Sequence, residues 1–312
     1  MLVGWATDAM STARPENEVA LAVDVGGTKI AVGLVTSAGR LIDRVVVPVD
    51  HGWGGDTLFA HVAEAATGLQ RRAITHHRLS PVVIGVGSAG PITTDVATVS
   101  PLNIPAWDAF PLRARLADVC GLPVYGMGDV KALALAEGWL GAARGRQNFM
   151  AMVVSTGVGG GIVLDGQLLD GASGNAGHVG HIVVEPNGRR CVCGGRGCLE
   201  AEASGPAIEA ITGRPPTEPS YEIMQRTGRL VGLAAASVCN LLDLDLVVVG
   251  GSVALGFGAP FFLAAEASLH EHCQLAFSRS ARVTPARLGD QGPLIGAGAV
   301  GWRGLRRARR AT

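Results

Sequence analysis

Residues 178 to 200 concentrate more chemistry than any other stretch of this sequence. They read His178-Val-Gly-His181-Ile-Val-Val-Glu-Pro-Asn-Gly-Arg-Arg-Cys191-Val-Cys193-Gly-Gly-Arg-Gly-Cys198-Leu-Glu200. Three thiols and an imidazole in one glycine-rich loop form the donor set that tetrahedral Zn²⁺ prefers. Glycine lets the backbone turn tightly enough for four side chains to converge. The alternative is a set of buried or disulfide-bonded cysteines, but Cys-x-Cys is a poor disulfide geometry and three thiols leave one unpaired. The metal ligands are expected to be His181, Cys191, Cys193 and Cys198, holding a structural zinc. His178 and Glu200 flank them, and a plain zinc knuckle needs neither. The inference is a metal that fixes a loop so that His178, His181 and Glu200 face a polar ligand, with the second nitrogen of His181 held as a hydrogen-bonding group.

Two glycine turns elsewhere carry anion-binding chemistry. In Asp24-Val-Gly26-Gly27-Thr28-Lys29, backbone N–H groups can approach phosphate oxygens, with a hydroxyl and an ammonium as further donors. An adjacent Asp can hold Mg²⁺ through water. The same residues also make an ordinary hairpin, and the spacing matches neither a Walker loop nor a dinucleotide fingerprint. The second turn is Ser155-Thr156-Gly157-Val158-Gly159-Gly160-Gly161, and Gly250-Gly251 ends a buried strand where a flat adenine or its ribose can lie. Asn103, in a Pro-rich loop, suits a sugar hydroxyl or its own backbone turn. Asp129 follows a strand at a helix N-terminus, where a carboxylate serves either as a cap or as a reactive group.

The elements that must place these residues follow from periodicity. Strands are expected at Val19–Val35 in two segments, at Arg44–Val49, Val82–Gly87, Pro123–Met127, Phe149–Val154, Ile162–Leu164 and Leu244–Gly250. Helices are expected at Thr57–Ala73, Leu112–Cys120, from Gly128 to Leu140, at Tyr221–Leu242, Phe261–Cys273 and Leu294–Trp302. The strand–glycine turn–strand unit at 19–35 recurs at 149–164, which implies two α/β domains facing a cleft. The expected division is a mobile extension at 1–18, a domain at 19–132 completed by a helix at 294–312, and a second domain at 133–293. Arg303–Arg310 reads as a solvated basic end.

The chain has 312 residues, 48% of them hydrophobic and 17% charged, so it can bury two cores. Its 26 basic and 26 acidic residues cancel, which argues against a general nucleic-acid or membrane-surface binder. No basic start with an apolar core opens the sequence and no apolar run reaches spanning length, so a cytoplasmic location is expected. Cys120, Cys239 and Cys273 lie in apolar contexts and read as core residues.

Taken together, these motifs resemble the ROK family of sugar kinases and repressors, in order from Val19 to about Trp302. The most specific part is His181, Cys191, Cys193, Cys198 and Glu200. The resemblance implies an actin-like, ribonuclease-H-like fold whose two domains close over ATP and a sugar. It implies that Asp24, Gly26, Gly27, Thr28 and Lys29 form one ATP loop, Thr156, Gly157, Gly159 and Gly160 a second, and Gly250 and Gly251 the adenosine site. It implies that Asn103, His178, His181 and Glu200 meet the sugar, that Asp129 is the catalytic base, that Mg²⁺ accompanies ATP, and that the protein is a homodimer or homotetramer. Glucose phosphorylated at its 6-hydroxyl is the default acceptor. Three positions depart from the glucokinase pattern: His178 replaces a Glu, Gly128 an Asn, and Lys131 an Asn or small residue. His178 is similar to N-acetylmannosamine kinases, which makes an N-acyl-hexosamine the alternative acceptor. A sugar-responsive repressor is less consistent with only 18 residues ahead of the first strand, too few for a helix-turn-helix.

Overall fold

A computed structural model describes residues 17–311. The expected extension at 1–18 therefore lies almost wholly outside the described residues. Contacts divide the chain into two compact units, one running to Leu140 and resuming at Asp290, the other spanning Gly141–Gly289. The expected boundary at 132/133 falls inside a continuous helix.

In the first unit, β1 (Glu18–Val25), β2 (Lys29–Thr36) and β3 (Leu41–Pro48) form an antiparallel meander. Strands β4 (Ser80–Ser88) and β5 (Val124–Gly128) then join parallel to β1, giving the order β3-β2-β1-β4-β5. β1 and β2 are buried along nearly their whole length, which is why they read as continuous apolar runs rather than alternating ones. Helix α1 (Gly55–Thr75) covers one face through Leu58, Phe59, Val62, Ala66 and Leu69, and α2 (Leu112–Cys120) adds Leu112 and Leu116 to that core. Helix α3 (Asp129–Trp139) starts directly from β5.

The second unit repeats the plan. Strands β6 (Phe149–Val154), β7 (Val158–Leu164) and β8 (Gln167–Leu168) are antiparallel neighbours. Strands β9 (Leu246–Gly250) and β10 (Arg282–Pro285) add parallel to β6, giving β8-β7-β6-β9-β10. Asp165 and Gly166, both at positive φ, make the β7–β8 turn. Short helices α4 (Leu199–Ala203) and α5 (Gly205–Thr212) lead to α6 (Tyr221–Leu242). After β9 come α7 (Ser252–Phe257) and α8 (Ala259–His272). The core joins Met150 and Met152 of β6 to Leu230, Val231, Ala234 and Val238 of α6 and to Phe261 and Leu269 of α8.

The last helix, α9 (Gly292–Ala311), belongs to the first unit and is longer than its apolar part. Leu294, Ile295, Ala297, Val300 and Trp302 are buried, and the Trp302 indole N–H donates to the Val35 and Thr36 carbonyls at 3.2 and 3.1 Å. A Cβ at Gly85 of β4 would lie 1.9 Å from the Ala297 carbonyl oxygen, and one at Gly296 would lie 2.5 Å from that of Ala132 in α3. Only bare backbone at these points lets α9 rest on both the sheet and α3. The basic Arg303–Arg310 segment continues the helix with residues 307–310 exposed, and Arg309 forks onto Glu18 of β1 at 3.0 and 3.3 Å. Among the described residues no helix is long and apolar enough to cross a membrane. Cys120, Cys239 and Cys273 are buried and unbridged, as core residues should be.

Candidate functional site

The singled-out residues form two groups, one in each unit. In the first unit, Asp24 is the penultimate residue of β1 and Asp129 opens α3 just beyond β5. β1, β4 and β5 are parallel, so both acids stand at the carboxyl edge of one sheet, where open α/β sheets bind ligands. Gly87 of β4 pairs with Asp24 on one side and with Met127 on the other, and a Cβ there would sit 3.8 Å from the Asp129 Cα. The strand between the two acids thus has no side chain at the level where they stand.

Both carboxyls are shifted upward, and Asp129 acts on Asp24. Burial, and then repulsion from Asp129, lift Asp24 from 3.8 to about 7, with Lys29 opposing. Burial also raises Asp129, while the Val130 N–H, which donates to Asp129 Oδ1 at 2.8 Å, opposes the rise. Gly128 occupies the N-cap position with no side-chain bond, so Asp129 is the first helical residue and not the cap itself. The glycine turn next to Asp24 closes with a Gly26 N–H to Lys29 carbonyl bond of 3.1 Å, leaving Thr28 and Lys29 exposed. Asn103 reaches this turn: a Cβ on Gly27 would meet the Asn103 side chain at 2.7 Å. The structure therefore brings Asn103 against the first glycine turn. Lys131 is buried in α3.

In the second unit, His181, Cys191, Cys193 and Cys198 converge, with one donor atom from each lying within 4.8 Å of all the others. The Cys193 and Cys198 sulfurs are 3.7 Å apart, far beyond a disulfide, and Cys191 Sγ is 3.6 Å from His181 Nδ1. Ideal tetrahedral zinc, with Zn–S near 2.3 Å and Zn–N near 2.0–2.1 Å, separates sulfurs by about 3.8 Å and sulfur from nitrogen by about 3.6 Å. The donor set and its spacing both fit a closed zinc site. A backbone hydrogen bond from Gly195 holds the Cys193 thiol below its ordinary range, whereas burial pushes Cys198 up to about 12, so a cation is needed to keep the Cys198 sulfur ionised.

The loop is held from outside by Glu202, only 2% exposed. Its carboxylate accepts from the Arg189 N–H at 2.6 Å and from the Arg226 guanidinium at 2.5 Å. Gly197 has a φ of +69°, and a Cβ there would lie 1.7 Å from the Glu185 carbonyl oxygen. With His181 Nδ1 toward the thiols, its Nε2 carries the proton outward. His178 is exposed, and its ring stacks on that of His181 at 6.2 Å between centroids and 17° between planes. Its Nδ1 lies 2.8 Å from the Asn175 carbonyl oxygen, which can only accept. The proton is therefore on Nδ1, and Nε2 of the neutral ring is an acceptor.

The second glycine segment is shorter as a loop than expected. Gly159, Gly160 and Gly161 lie inside β7 and pair with Val153, Met152 and Ala151, so the turn contracts to Ser155–Gly157. Their lack of side chains serves packing: the Gly160 N–H donates to the Gly177 carbonyl at 2.8 Å, and Val179 lies over Gly160. Thr156 is exposed at the turn. Gly250 ends β9 opposite Val153 of β6, and Gly251, at φ +96°, passes so close to Val154 that a Cβ would meet its carbonyl oxygen at 2.3 Å. The Ser155 and Ser252 hydroxyls are 2.8 Å apart. The turn and the Gly250–Gly251 pair thus share one sheet edge. Glu200 was not expected to touch this turn, yet its Oε2 accepts the Val158 N–H at 2.9 Å.

A family model described as the ROK family matches residues 20–301. A glucokinase of Halalkalibacterium halodurans is 33% identical over 265 residues, 74% of this chain and 79% of that one. An N-acetylmannosamine kinase of Yersinia pestis is 36% identical over 254 residues, 76% of this chain and 84% of its own. The crystal structure of a ROK hexokinase from Thermus thermophilus superimposes with a TM-score of 0.81 at 33% identity, covering 93% of this chain and 99% of that one. The doubled β-sheet plan is the actin-like ATPase fold that these structures share. With the match running through both sheets and the metal loop, the chain belongs to the ROK family.

Proposed function

We propose that this protein is an ATP-dependent sugar kinase that phosphorylates the 6-hydroxyl of a hexose, with glucose as the default acceptor. The observation that carries the reading is the Asp24–Asp129 pair. Two crowded carboxyls with raised pKa values at the carboxyl edge of a sheet suit one acid that takes a proton and one that meets a cation. Asp129 accepts the proton of the acceptor hydroxyl as its oxygen bonds to the γ-phosphorus and the bond to the bridging oxygen of ADP breaks. Asp24 is the residue that would meet the shell of a Mg²⁺ ion brought with ATP, which would neutralise phosphate charge. Thr28, Lys29 and the Ser155–Gly157 turn supply phosphate donors, Gly250 and Gly251 leave room for the nucleoside, and Asn103, His181 and Glu200 orient the sugar. His181, Cys191, Cys193 and Cys198 would hold a zinc ion that would fix the loop carrying these sugar contacts.

One observation favours an N-acyl-hexosamine such as N-acetylmannosamine. His178 offers a neutral nitrogen acceptor at a position where the glucokinase pattern has a carboxylate, and the Yersinia pestis relative acts in that class by name. An ADP-release assay across glucose, mannose, N-acetylglucosamine and N-acetylmannosamine decides between the two. Turnover is expected with at least one, and silence across the panel rejects the kinase reading. Asp129→Asn is expected to lower kcat by at least about 10²-fold with zinc content unchanged; retained activity removes Asp129 from its role.

A further inference from the structure

Glu200 is connected to more than a sugar. It follows the metal ligand Cys198 by two residues and opens the first turn of α4. Its Oε2 accepts the Val158 N–H at 2.9 Å, and a Cβ on Gly157 would meet the same oxygen at 3.0 Å. The other end of the same short segment touches the same turn, because the Gly205 N–H donates to the Ser155 carbonyl at 2.8 Å. The turn is closed on itself by the Ser155 N–H to Gly157 carbonyl bond of 2.9 Å. The Ser155–Val158 turn is therefore clamped at one end by the Glu200 carboxylate and at the other by the Gly205 backbone N–H. Among the described residues Glu200 Oε1 accepts no hydrogen bond, so half of the carboxylate is committed to the turn and half is available.

We propose that Glu200 is a positioning residue for the phosphoryl donor. One oxygen fixes the Gly157–Val158 peptide while the other is left for the acceptor sugar, so a single carboxylate links the two substrates within this unit. The inference rests on the kinase reading, which assigns the Ser155–Gly157 turn to phosphate. A carboxylate accepting from a backbone N–H makes a charge-assisted bond, and losing it frees the peptide to rotate away from the orientation that phosphate needs. Sugar bound at Oε1 further restrains the carboxylate, so sugar and nucleotide affinities rise together and by the same factor. The link runs on to the metal: Cys198 and Glu200 are two residues apart, so loss of the ion reaches the nucleotide as well as the sugar.

The test separates the two oxygens. Binding of a non-hydrolysable ATP analogue with Mg²⁺ is measured by calorimetry without sugar for the wild type, Glu200→Ala and Glu200→Gln, with zinc content confirming an intact loop. Gln keeps an oxygen that can accept the Val158 N–H but changes the group offered to sugar. Glu200→Ala is expected to weaken analogue binding about tenfold. Glu200→Gln is expected to recover most of that loss while its sugar KM remains raised. If zinc-loaded Glu200→Ala binds the analogue as the wild type does, Glu200 serves sugar alone and the proposal is overturned, with the kinase reading intact. If Glu200→Ala and Glu200→Gln lose nucleotide affinity equally, the loss does not follow the Val158 bond and the proposal is also overturned. Failure of the wild type to bind the analogue overturns the kinase reading and this inference together.

Discussion

Replacing Asp24 with Asn should make the nucleotide-free protein more stable at neutral and alkaline pH while destroying its activity. The folded protein holds Asp24 near 7, against 3.8 for a free side chain. Below pH 3.8 the carboxyl is protonated in both states and does not affect folding. Between 3.8 and about 7 the unfolded chain has released the proton and the folded one has not, so folding stability falls as pH rises. The slope is about 1.4 kcal/mol per pH unit, so the loss is about 4 kcal/mol by pH 8, above which it stays constant. Asn cannot ionise and escapes this slope. Urea unfolding of the ligand-free protein at pH 5, 6, 7 and 8 reads the effect directly. The stability of Asp24→Asn minus that of the wild type should grow from pH 5 to pH 7 and then level off. A variant less stable than the wild type at pH 8, or a difference that does not change with pH, would refute the claim that burial and Asp129 keep this carboxyl protonated.

Further outcomes follow from other contacts. Cys193→Ser should lose zinc, by metal analysis, and raise the sugar KM; an active, metal-free variant would contradict the loop-fixing role. Gly197→Ala should cost more than about 2 kcal/mol in unfolding experiments and lower metal affinity, because its positive φ and the Glu185 carbonyl both exclude a Cβ. Trp302→Phe keeps the ring but removes one N–H shared by the Val35 and Thr36 carbonyls, the second of which keeps the Gly39 N–H, and should lower the stability of the first unit by about 1 kcal/mol in urea unfolding.

The convergence of His181, Cys191, Cys193 and Cys198 was legible in the sequence because it is local: three cysteines lie within eight residues and a histidine ten residues upstream. The long strands were legible for a related reason, since β1, β2, β6 and β9 are buried along most of their length and their composition says so directly. Gly159–Gly161 was misread as loop because glycine marks both a turn and a strand against which another backbone packs, and only the Gly177–Val179 segment distinguishes the two. Strand β10 was missed because Arg282, Thr284 and Pro285 surround one buried Val283 at a sheet edge, which leaves no apolar period to detect. The basic end of α9 is exposed at residues 307–310, as its composition indicates, but nothing local points to Glu18, the partner of Arg309 291 positions away. The Asp24–Asp129 and Glu200–Val158 relationships are equally long-range. Residue types marked these positions as reactive, but nothing local revealed which neighbour each would meet.

Helix α9 closes a sheet whose five strands are complete by residue 128, and a ribosome makes it only after the whole of the other unit. Between them lie about 150 residues of the other unit (141 to 289), a synthesis interval of roughly 8–30 s at 5–20 residues per second. Throughout that interval the nascent sheet has one face without its cover, including Ala20, Ala22, Ala31 and Val83, which α9 later buries. The inserted unit, contiguous in sequence, can form first, while its host waits with an adhesive surface open to chaperones or to neighbouring chains.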